Sequence, residues 1–400
     1  MATLKKHCVS LTRTGIWVAF ADTVTYDHGS FSFLQKRHKS CNKRPKKKIY
    51  HRVPELDRVM ELQKKPSLIL HLKDIVFKQK KHCILLRDLE KEVGVIQKWN
   101  FMSIIERYPS IFRVHGGNRR PHVLELTDKV LTLAKDEEKV RENMEPIVVK
   151  NLRKLLMMSM DCRVALDKIN LIRLELGLPE NYVSGIILKY PEFFKLDEIN
   201  GRDYVLLERW DPDLAVTARE ASSKGDNSLV SGHGKKVPVS KDGNFLGPFS
   251  FKLDFPLGFR PNMKYLEEVQ KWQKLAFPSP YLNARQFDPA SSAARKRAVA
   301  VLHELLSLTL EKRLTSAQLD VFHAEYQLPC RLLLCLVRQH GIFYMTNKGV
   351  RSTVFLKEAY RGSRLIEKSP ILIFNDRFLE LMGRREVNLD SGVPLFHMDA

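Results

Sequence analysis

The sequence predicts a mainly α-helical fold with short β-hairpins, an α+β class. Apolar residues recur at helical spacing along most of the chain, for example at Leu56, Val59 and Met60. Pairs of short apolar segments flank turns that are rich in glycine and asparagine, which is typical of β-hairpins. The 400 residues, 44% of them hydrophobic, are enough for about two to four packed domains.

The first predicted unit consists of two helices followed by a hairpin. Residues 87–95 form the first helix, and Asn100 can cap a second helix that Pro109 ends. The strands 111–114 and 123–126 then flank a polar turn that contains Gly-Gly-Asn. These residues therefore predict a helix–helix–hairpin unit.

Two later segments of the chain have the same order of elements. The second unit has helices 169–176 and 180–189, followed by strands 193–196 and 204–207 around Asn200-Gly201. The third has helices 316–326 and 329–337, followed by strands 342–345 and 353–356 around Asn347-Lys348-Gly349. Tyr108-Pro109-Ser110-Ile111-Phe112 matches Tyr190-Pro191-Glu192-Phe193-Phe194, and Gln339-His340-Gly341-Ile342-Phe343 matches both more loosely.

The repeated order is winged-helix-like, and it predicts three such units. In a winged helix, the second helix and the β wing face nucleic acid. The same shape can also serve contacts with another protein, so both interpretations stay open.

The charge of the chain favours an anionic partner. Lys and Arg number 67 against 46 acidic residues, which gives a formal net charge of +21. A charge of this size repels itself in the folded state, and nucleic acid is the commonest partner that neutralises it. Simple solubility and a basic targeting segment are the alternatives.

Composition divides the chain into five segments. Residues 1–50 contain eleven basic and only two acidic residues with many hydroxyl side chains, which is typical of an organelle transit peptide. A disordered basic arm that binds nucleic acid is the alternative for this segment. The predicted segments are 1–50, an N-terminal RNA-binding block 51–210, a flexible polar linker 211–248, a C-terminal block 249–385 and a polar tail 386–400. The C-terminal block includes a strand near 249–255, a helix 264–275, a long helix 292–313, the third unit and one further helix.

No motif for catalysis, metal binding or a cofactor stands in the sequence. The six cysteines are scattered without a Cys-x-x-Cys pair, and neither a phosphate-binding glycine loop nor His-Glu-x-x-His occurs. His303-Glu304 lies on an amphipathic helix, which predicts a structural role. A Cys–His pair distant in sequence stays open. No apolar run reaches the about eighteen residues of a transmembrane helix. The chain is therefore predicted to be no enzyme, with no cofactor, no metal, no small-molecule substrate and no membrane partner.

Basic residues near the predicted turns are the candidate RNA contacts, because turns can present cations to a phosphate backbone. The alternative for each is a solvated surface charge. The candidates are Arg113, Arg119, Arg120, Lys195, Arg202, Lys348 and Arg351. Exposed aromatic residues could stack on bases, but the positions of Tyr108, Phe112, Tyr190 and Tyr344 fit burial better.

Several segments resemble the plant organelle RNA recognition (PORR) domain family over about residues 50–385. They are 52–57 (RVPELD), 108–112 (YPSIF), 189–194 (KYPEFF), 279–281 (SPY), 303–309 (HELLSLT), 341–344 (GIFY) and 353–360 (TVFLKEAY). The family tends to have His-Pro-Gly before the third hairpin, where this chain has Gln339-His340-Gly341. This difference makes the third unit the weaker candidate for RNA contact.

The resemblance implies a nuclear-encoded plant protein that is imported into an organelle, binds organellar intron RNA and promotes group II intron splicing. Other splicing factors are an expected partner class. The expected location is the mitochondrion, with the chloroplast as the alternative. The competing hypothesis is a winged-helix-like DNA-binding or protein-interaction module in an organelle, and a hydrolase is the third.

Overall fold

The computed structural model describes residues 52–93, 101–117, 120–225, 262–274, 277–328, 332–349 and 351–383. The predicted transit peptide, the strand near 249–255 and the polar tail lie outside the described residues.

The first unit begins with a long helix that the sequence does not assign to it. A short strand follows, and then two helices and a hairpin. Its elements are α1 Pro54–Phe77, β1 Cys83–Leu85, α2 Leu86–Val93, α3 Phe101–Ile105, β2 Phe112–Gly117 and β3 Arg120–Leu126. The glycine turn of the hairpin is required, since a Cβ on Gly116 would lie 2.4 Å from the carbonyl oxygen of Pro121.

The second unit repeats this order. Its elements are α4 Asp128–Met157, β4 Arg163–Ala165, α5 Leu166–Leu171, α6 Arg173–Leu176, a π-helical turn Val183–Ile187, β5 Phe194–Ile199 and β6 Arg202–Leu207. Asn200 and Gly201 both have positive φ, as a two-residue hairpin turn of right-handed twist requires, so this predicted turn is confirmed.

Residues of the predicted linker that the structure describes are packed. They form a 3-10 turn, Pro212–Leu214, and α7, Ala218–Gly225. Thr217 is buried, and the ammonium of Lys154 donates a hydrogen bond to the carbonyl oxygen of Val216. Buried contacts therefore hold the start of the segment, and 226–248 lie outside the described residues.

The third unit follows α8, Met263–Lys274. Its elements are α9 Ser292–Leu308, β7 Arg313–Thr315, α10 Ser316–Val321, α11 His323–Tyr326, α12 Leu332–Arg338, β8 Phe343–Thr346 and β9 Thr353–Leu356. A two-stranded ribbon and a last helix complete the described chain: β10 Tyr360–Arg361, β11 Arg364–Leu365 and α13 Pro370–Leu381. The predicted helix 292–313 is five residues too long, because Thr309 is extended and ends α9.

The three sheets have the same topology. In each, the first strand of the unit and the first strand of the hairpin both pair antiparallel with the last strand: β1-β3-β2, β4-β6-β5 and β7-β9-β8. An equivalent backbone hydrogen bond stands at the start of each hairpin. The amide of Phe112 donates to the carbonyl of Tyr108, that of Phe194 to Tyr190, and that of Phe343 to Gln339. These bonds confirm the loose alignment of the third repeat. The likeness to a winged helix stays a prediction.

The second and third units share one hydrophobic core, and they contact each other reciprocally. The amide of Met160 donates to the carbonyl of Glu325 (3.0 Å), and the amide of Leu310 donates to the carbonyl of Glu175 (2.7 Å). Residues 160 and 310, like 175 and 325, occupy equivalent positions in the two units. The pair therefore has approximate two-fold symmetry within one chain. The division into two blocks stays a prediction.

Two helices connect the first unit to this pair. The second half of α1 packs into the core of the first unit, and its first half packs on the third sheet. In α13, Phe374 belongs to the shared core and Phe378 to the core of the first unit. Each of these helices thus contributes buried side chains to two clusters.

Candidate nucleic-acid interface

Each three-stranded sheet has a core face and an opposite face, which we call the outer face. Directly paired residues of an antiparallel sheet project on the same side, and successive residues alternate. The pairs Ile84–Leu124, Val164–Val205 and Leu314–Val354 are directed into the cores. The pairs on either side of them therefore form outer faces one, two and three.

Outer face three is covered by the first half of α1. Phe355 is fully buried, and it clusters with Leu56 and Val59 of α1. The hydroxyls of Tyr344 and Thr346 both donate hydrogen bonds to the carboxylate of Asp57, Tyr344 at 2.8 Å. A helix of the same chain thus occupies this face.

The turn of the third hairpin also contacts α1. Lys348 lies 3.1 Å from Glu61 in an ion pair, and a Cβ on Gly349 would come within 2.8 Å of the Met60 methyl group. Arg351 is exposed. Of the two candidate residues here, Lys348 therefore already has an anionic partner within the chain.

Outer face two is accessible, and it carries two of the candidates. Lys195 and Arg202 are both exposed, while Tyr204 and Leu206 between them are half-buried. The guanidinium carbon of Arg163 lies 5.5 Å from the centroid of the Tyr204 ring, a cation–π contact. This face is therefore mixed, with cations, an aromatic ring and an apolar side chain.

Outer face one carries Arg113, and the turn of the same hairpin carries Arg120. Both side chains are exposed, whereas Arg119 lies outside the described residues. Glu125 pairs directly with Arg113 across the strands and also lies 2.9 Å from a ring nitrogen of His115. A carboxylate therefore offsets part of the positive charge on this face.

The net charge of the three hairpins follows a different order from the accessibility of their outer faces. The first hairpin has three basic residues against one acidic residue, the second two against three, and the third two against none. In the second hairpin, Glu198 and Asp203 stand opposite each other in the strand register, and both project on the side of the sheet away from Lys195. Outer face two therefore carries Arg163, Lys195 and Arg202 against the carboxylate of Asp197, and Arg163 is itself paired with Asp161 at 3.3 Å.

Two groups of cations were missed from the sequence. Lys78, Lys80 and Lys81 are exposed in the loop between α1 and β1, where Lys78 pairs with Glu180 at 2.6 Å. The basic run 78–82 (KQKKH) is visible in the sequence. Its place next to a sheet could not be predicted, because the strand that follows it has only three residues. Arg163 could have been found by aligning it with Arg313, which begins the equivalent strand.

Of the four tyrosine and phenylalanine residues that the sequence considers for stacking, two are buried, as predicted, and two are half-buried. Phe112 is 3% exposed and Tyr344 is 8% exposed, while Tyr108 and Tyr190 are half-buried. Tyr204, which the sequence does not single out, is also half-buried and lies on outer face two.

The buried charges in the shared core hold elements together. The carboxylate of Glu304 is fully buried, and it accepts hydrogen bonds from Lys154 (3.0 Å), the Tyr281 hydroxyl (2.7 Å) and the amide of Ala218 (2.9 Å). Burial, together with this carboxylate, raises the pKa of Tyr281 far above its ordinary value. Glu304 thus joins α4, α7 and the loop before α9.

His303 and Glu304 are therefore both engaged in the core, in agreement with the structural role predicted for them. His303 lies 2.5 Å from Glu358. Across the described residues, no group of His, Cys, Asp and Glu has the arrangement of a metal site. None of the described helices is both long enough and apolar enough to span a bilayer.

The thiols of Cys162 and Cys335 lack the lowered pKa of an activated nucleophile. Burial raises the pKa of Cys335 to about 11. Burial and then the nearby charge of Asp161 raise the pKa of Cys162. A reactive cysteine needs a lowered pKa, so these two positions do not favour a thiol hydrolase.

The chain is similar to several plant proteins over most of its length. It is 30% identical over 330 residues to Protein WHAT'S THIS FACTOR 1 homolog, chloroplastic, of Arabidopsis thaliana, covering 82% of this chain and 61% of that protein. It is 32% identical over 363 residues to Protein ROOT PRIMORDIUM DEFECTIVE 1 of the same plant, covering 87% and 86%. Protein WHAT'S THIS FACTOR 9, mitochondrial, also of Arabidopsis thaliana, is 26% identical over 364 residues, covering 88% and 91%.

The WHAT'S THIS FACTOR 1 proteins are longer, and the matched region spans 61 to 65% of their length. No solved structure matches the chain. The family described as the plant organelle RNA recognition domain matches residues 51–387, which include all three units. The chain belongs to the plant organelle RNA recognition domain family.

Proposed function

We propose that this protein binds organellar intron RNA and promotes the splicing of group II introns. The observation that carries the proposal is the family match across all three units. Two accessible outer faces support it, since Arg113 and Lys195 are exposed there and neither forms an ion pair with another described residue. Intron RNA performs the chemistry, and the protein holds that RNA in a conformation that can react.

The binding mode combines phosphate contacts with recognition of exposed single-stranded segments. Sequence-specific proteins read RNA mainly in loops and single strands, where unpaired bases are accessible. The cations on outer faces one and two fit the phosphate contacts, and Tyr204 fits the recognition of unpaired bases. Other splicing factors are proposed as partners, and no membrane or small-molecule substrate is part of the proposal.

A salt titration of filter binding tests the RNA affinity directly. Each phosphate contact releases condensed counterions, so the association constant falls as salt rises, with a log–log slope of about −0.7 per contact on a single strand. We expect intron RNA to bind with such a slope. Affinity that does not change between low and physiological salt contradicts the proposal.

The alternative function is a winged-helix-like module that binds duplex DNA or another protein. The repeated helix–hairpin topology favours it as the second candidate. Competition of the bound RNA by single-stranded RNA and by duplex DNA separates the two. Stronger competition by duplex DNA would favour the alternative.

The proposed location is the mitochondrion, and the chloroplast is the alternative. One relative that is named chloroplastic and another that is named mitochondrial each match over most of this chain. RNA co-immunoprecipitation from purified mitochondria and purified chloroplasts reports the compartment and the target together. Recovery of intron RNA from mitochondria alone is the expected result, and recovery from chloroplasts alone would reverse the assignment.

A further inference from the structure

Outer face two carries an aromatic ring at a position where the other two sheets have none. Tyr204 pairs with Ala165 on one side and with Asp197 on the other. The equivalent residues are Val123 in sheet one and Thr353 in sheet three. The small side chain of Ala165 leaves room for the ring on the sheet, and Arg163 lies over it at 5.5 Å.

Cations lie on this face at both ends of the ring. Lys195 lies two residue pairs away from Tyr204 toward the start of the hairpin, and Arg202 lies two pairs away toward its turn, so all three share the face. Residue pairs that share a face are about 7 Å apart along a strand, so the backbones of Lys195 and Arg202 are about 14 Å apart. Their long side chains can reach inward from both sides toward the phosphates of a base on the ring. Neither cation has an ion-pair partner among the described residues.

The comparison with outer face three indicates which class of molecule fits outer face two. Three residues hold α1 there: Phe355, Tyr344 and Thr346. Their equivalents on outer face two are Leu206, Lys195 and Asp197. Charged residues at two of these three positions disfavour an apolar helix. A polyanion with flat, exposed bases fits both the cations and the ring.

We propose that outer face two binds a segment of single-stranded RNA by stacking one base on Tyr204. Lys195 and Arg202 contact the phosphates on either side of this base. Asp197, directly opposite Tyr204, accepts a hydrogen bond from an amino group of the stacked base, so adenine, guanine or cytosine is preferred to uracil. This site rests on the proposed RNA-binding function and deepens it.

Fluorescence anisotropy with a short labelled single-stranded RNA of mixed sequence tests the stacking in the full chain. Tyr204→Leu removes the ring but keeps an apolar side chain, and Tyr204→Trp keeps a stacking surface. Loss of one stacked base weakens binding by roughly fivefold to more than a hundredfold, and no charge is lost. We therefore expect Y204L to bind at least fivefold more weakly with an unchanged salt slope, and Y204W to bind like the wild type.

The outcomes separate this site from the general function. A wild-type chain without RNA affinity contradicts the proposed function. A wild-type chain that binds RNA as tightly as Y204L contradicts the Tyr204 site alone. Equal affinity of the wild type for oligo-uridine and oligo-cytidine contradicts the role given to Asp197, and so does a preference for oligo-cytidine that survives Asp197→Ala.

A photocrosslink keeps the site testable even if Y204L does not fold. RNA that contains 5-bromocytidine, which keeps the amino group of the preferred base, is bound to the wild-type chain, irradiated and digested with trypsin. Cleavage after Arg202 and Arg209 releases a peptide, 203–209, whose only tyrosine is Tyr204. We expect a crosslink on this peptide, and crosslinks confined to other peptides would overturn the proposal.

Discussion

Sheets two and three have the same strand order and equivalent core residues, yet their outer faces differ. On sheet three, Phe355 and Tyr344 are covered by α1. On sheet two, Leu206 and Lys195 occupy the same positions, and Lys195 is exposed. The difference teaches that one repeated unit can either bury its outer face in internal packing or leave it accessible.

Alanine substitutions at equivalent positions of outer faces two and three should give the largest difference in the free energy of unfolding. Phe355→Ala removes a fully buried ring, so we expect the free energy of unfolding to fall by about 3–5 kcal/mol. Leu206→Ala removes a half-buried side chain, and about 1 kcal/mol is expected. Urea denaturation of both full-length variants measures these losses. Equal losses would contradict the covered and accessible assignments.

The buried carboxylate of α1 provides a second, smaller test. Asp57→Ala leaves the hydroxyls of Tyr344 and Thr346 without their acceptor, which should cost about 1–3 kcal/mol. Asp57→Asn keeps one acceptor oxygen and should cost less. Thermal denaturation compares the two variants. If alanine is tolerated as well as asparagine, these hydrogen bonds do not hold α1 on sheet three.

The two-fold relation between the second and third units predicts paired effects. Lys168 donates to Glu325, and Gln318 at the equivalent position donates to Glu175. Lys168→Ala and Gln318→Ala should each lower the free energy of unfolding by about 0.5–1.5 kcal/mol. The same denaturation experiment measures both. A cost at one position only would show that the symmetry does not extend to the energetics.

The hairpins were predictable from sequence because their signals are local. Alternation of apolar residues and the positive-φ turn at Asn200-Gly201 are both set by neighbouring residues. The first strand of each unit was not predictable. Each is three residues long, as in Arg163–Ala165, and exists only because a hairpin strand distant in sequence pairs with it.

The candidate site was predictable in part, for the same reason. Exposed cations on hairpins, such as Arg113 and Arg202, follow from their positions near turns. The ion pair of Lys348 with Glu61 joins residues 287 positions apart, and no local pattern reports it. Tyr204 resembles a buried strand residue in sequence, and only the register places it on an outer face.

Two charge-matched double variants test most directly whether the accessible outer faces carry the RNA contacts. R113A/K195A removes one cation from each of outer faces one and two, and K348A/R351A removes two from the third hairpin. Because both lose the same charge, a general electrostatic effect is equal in both. The measurement is the salt dependence of the association constant for single-stranded RNA.

We expect R113A/K195A to bind about tenfold more weakly at physiological salt, with a log–log slope shallower by about 1.4, the value for two lost contacts. K348A/R351A should stay within about twofold of the wild type, since Lys348 pairs with Glu61 and the outer face beside both residues is covered by α1. An equal or larger loss in K348A/R351A would contradict the assignment of RNA binding to outer faces one and two.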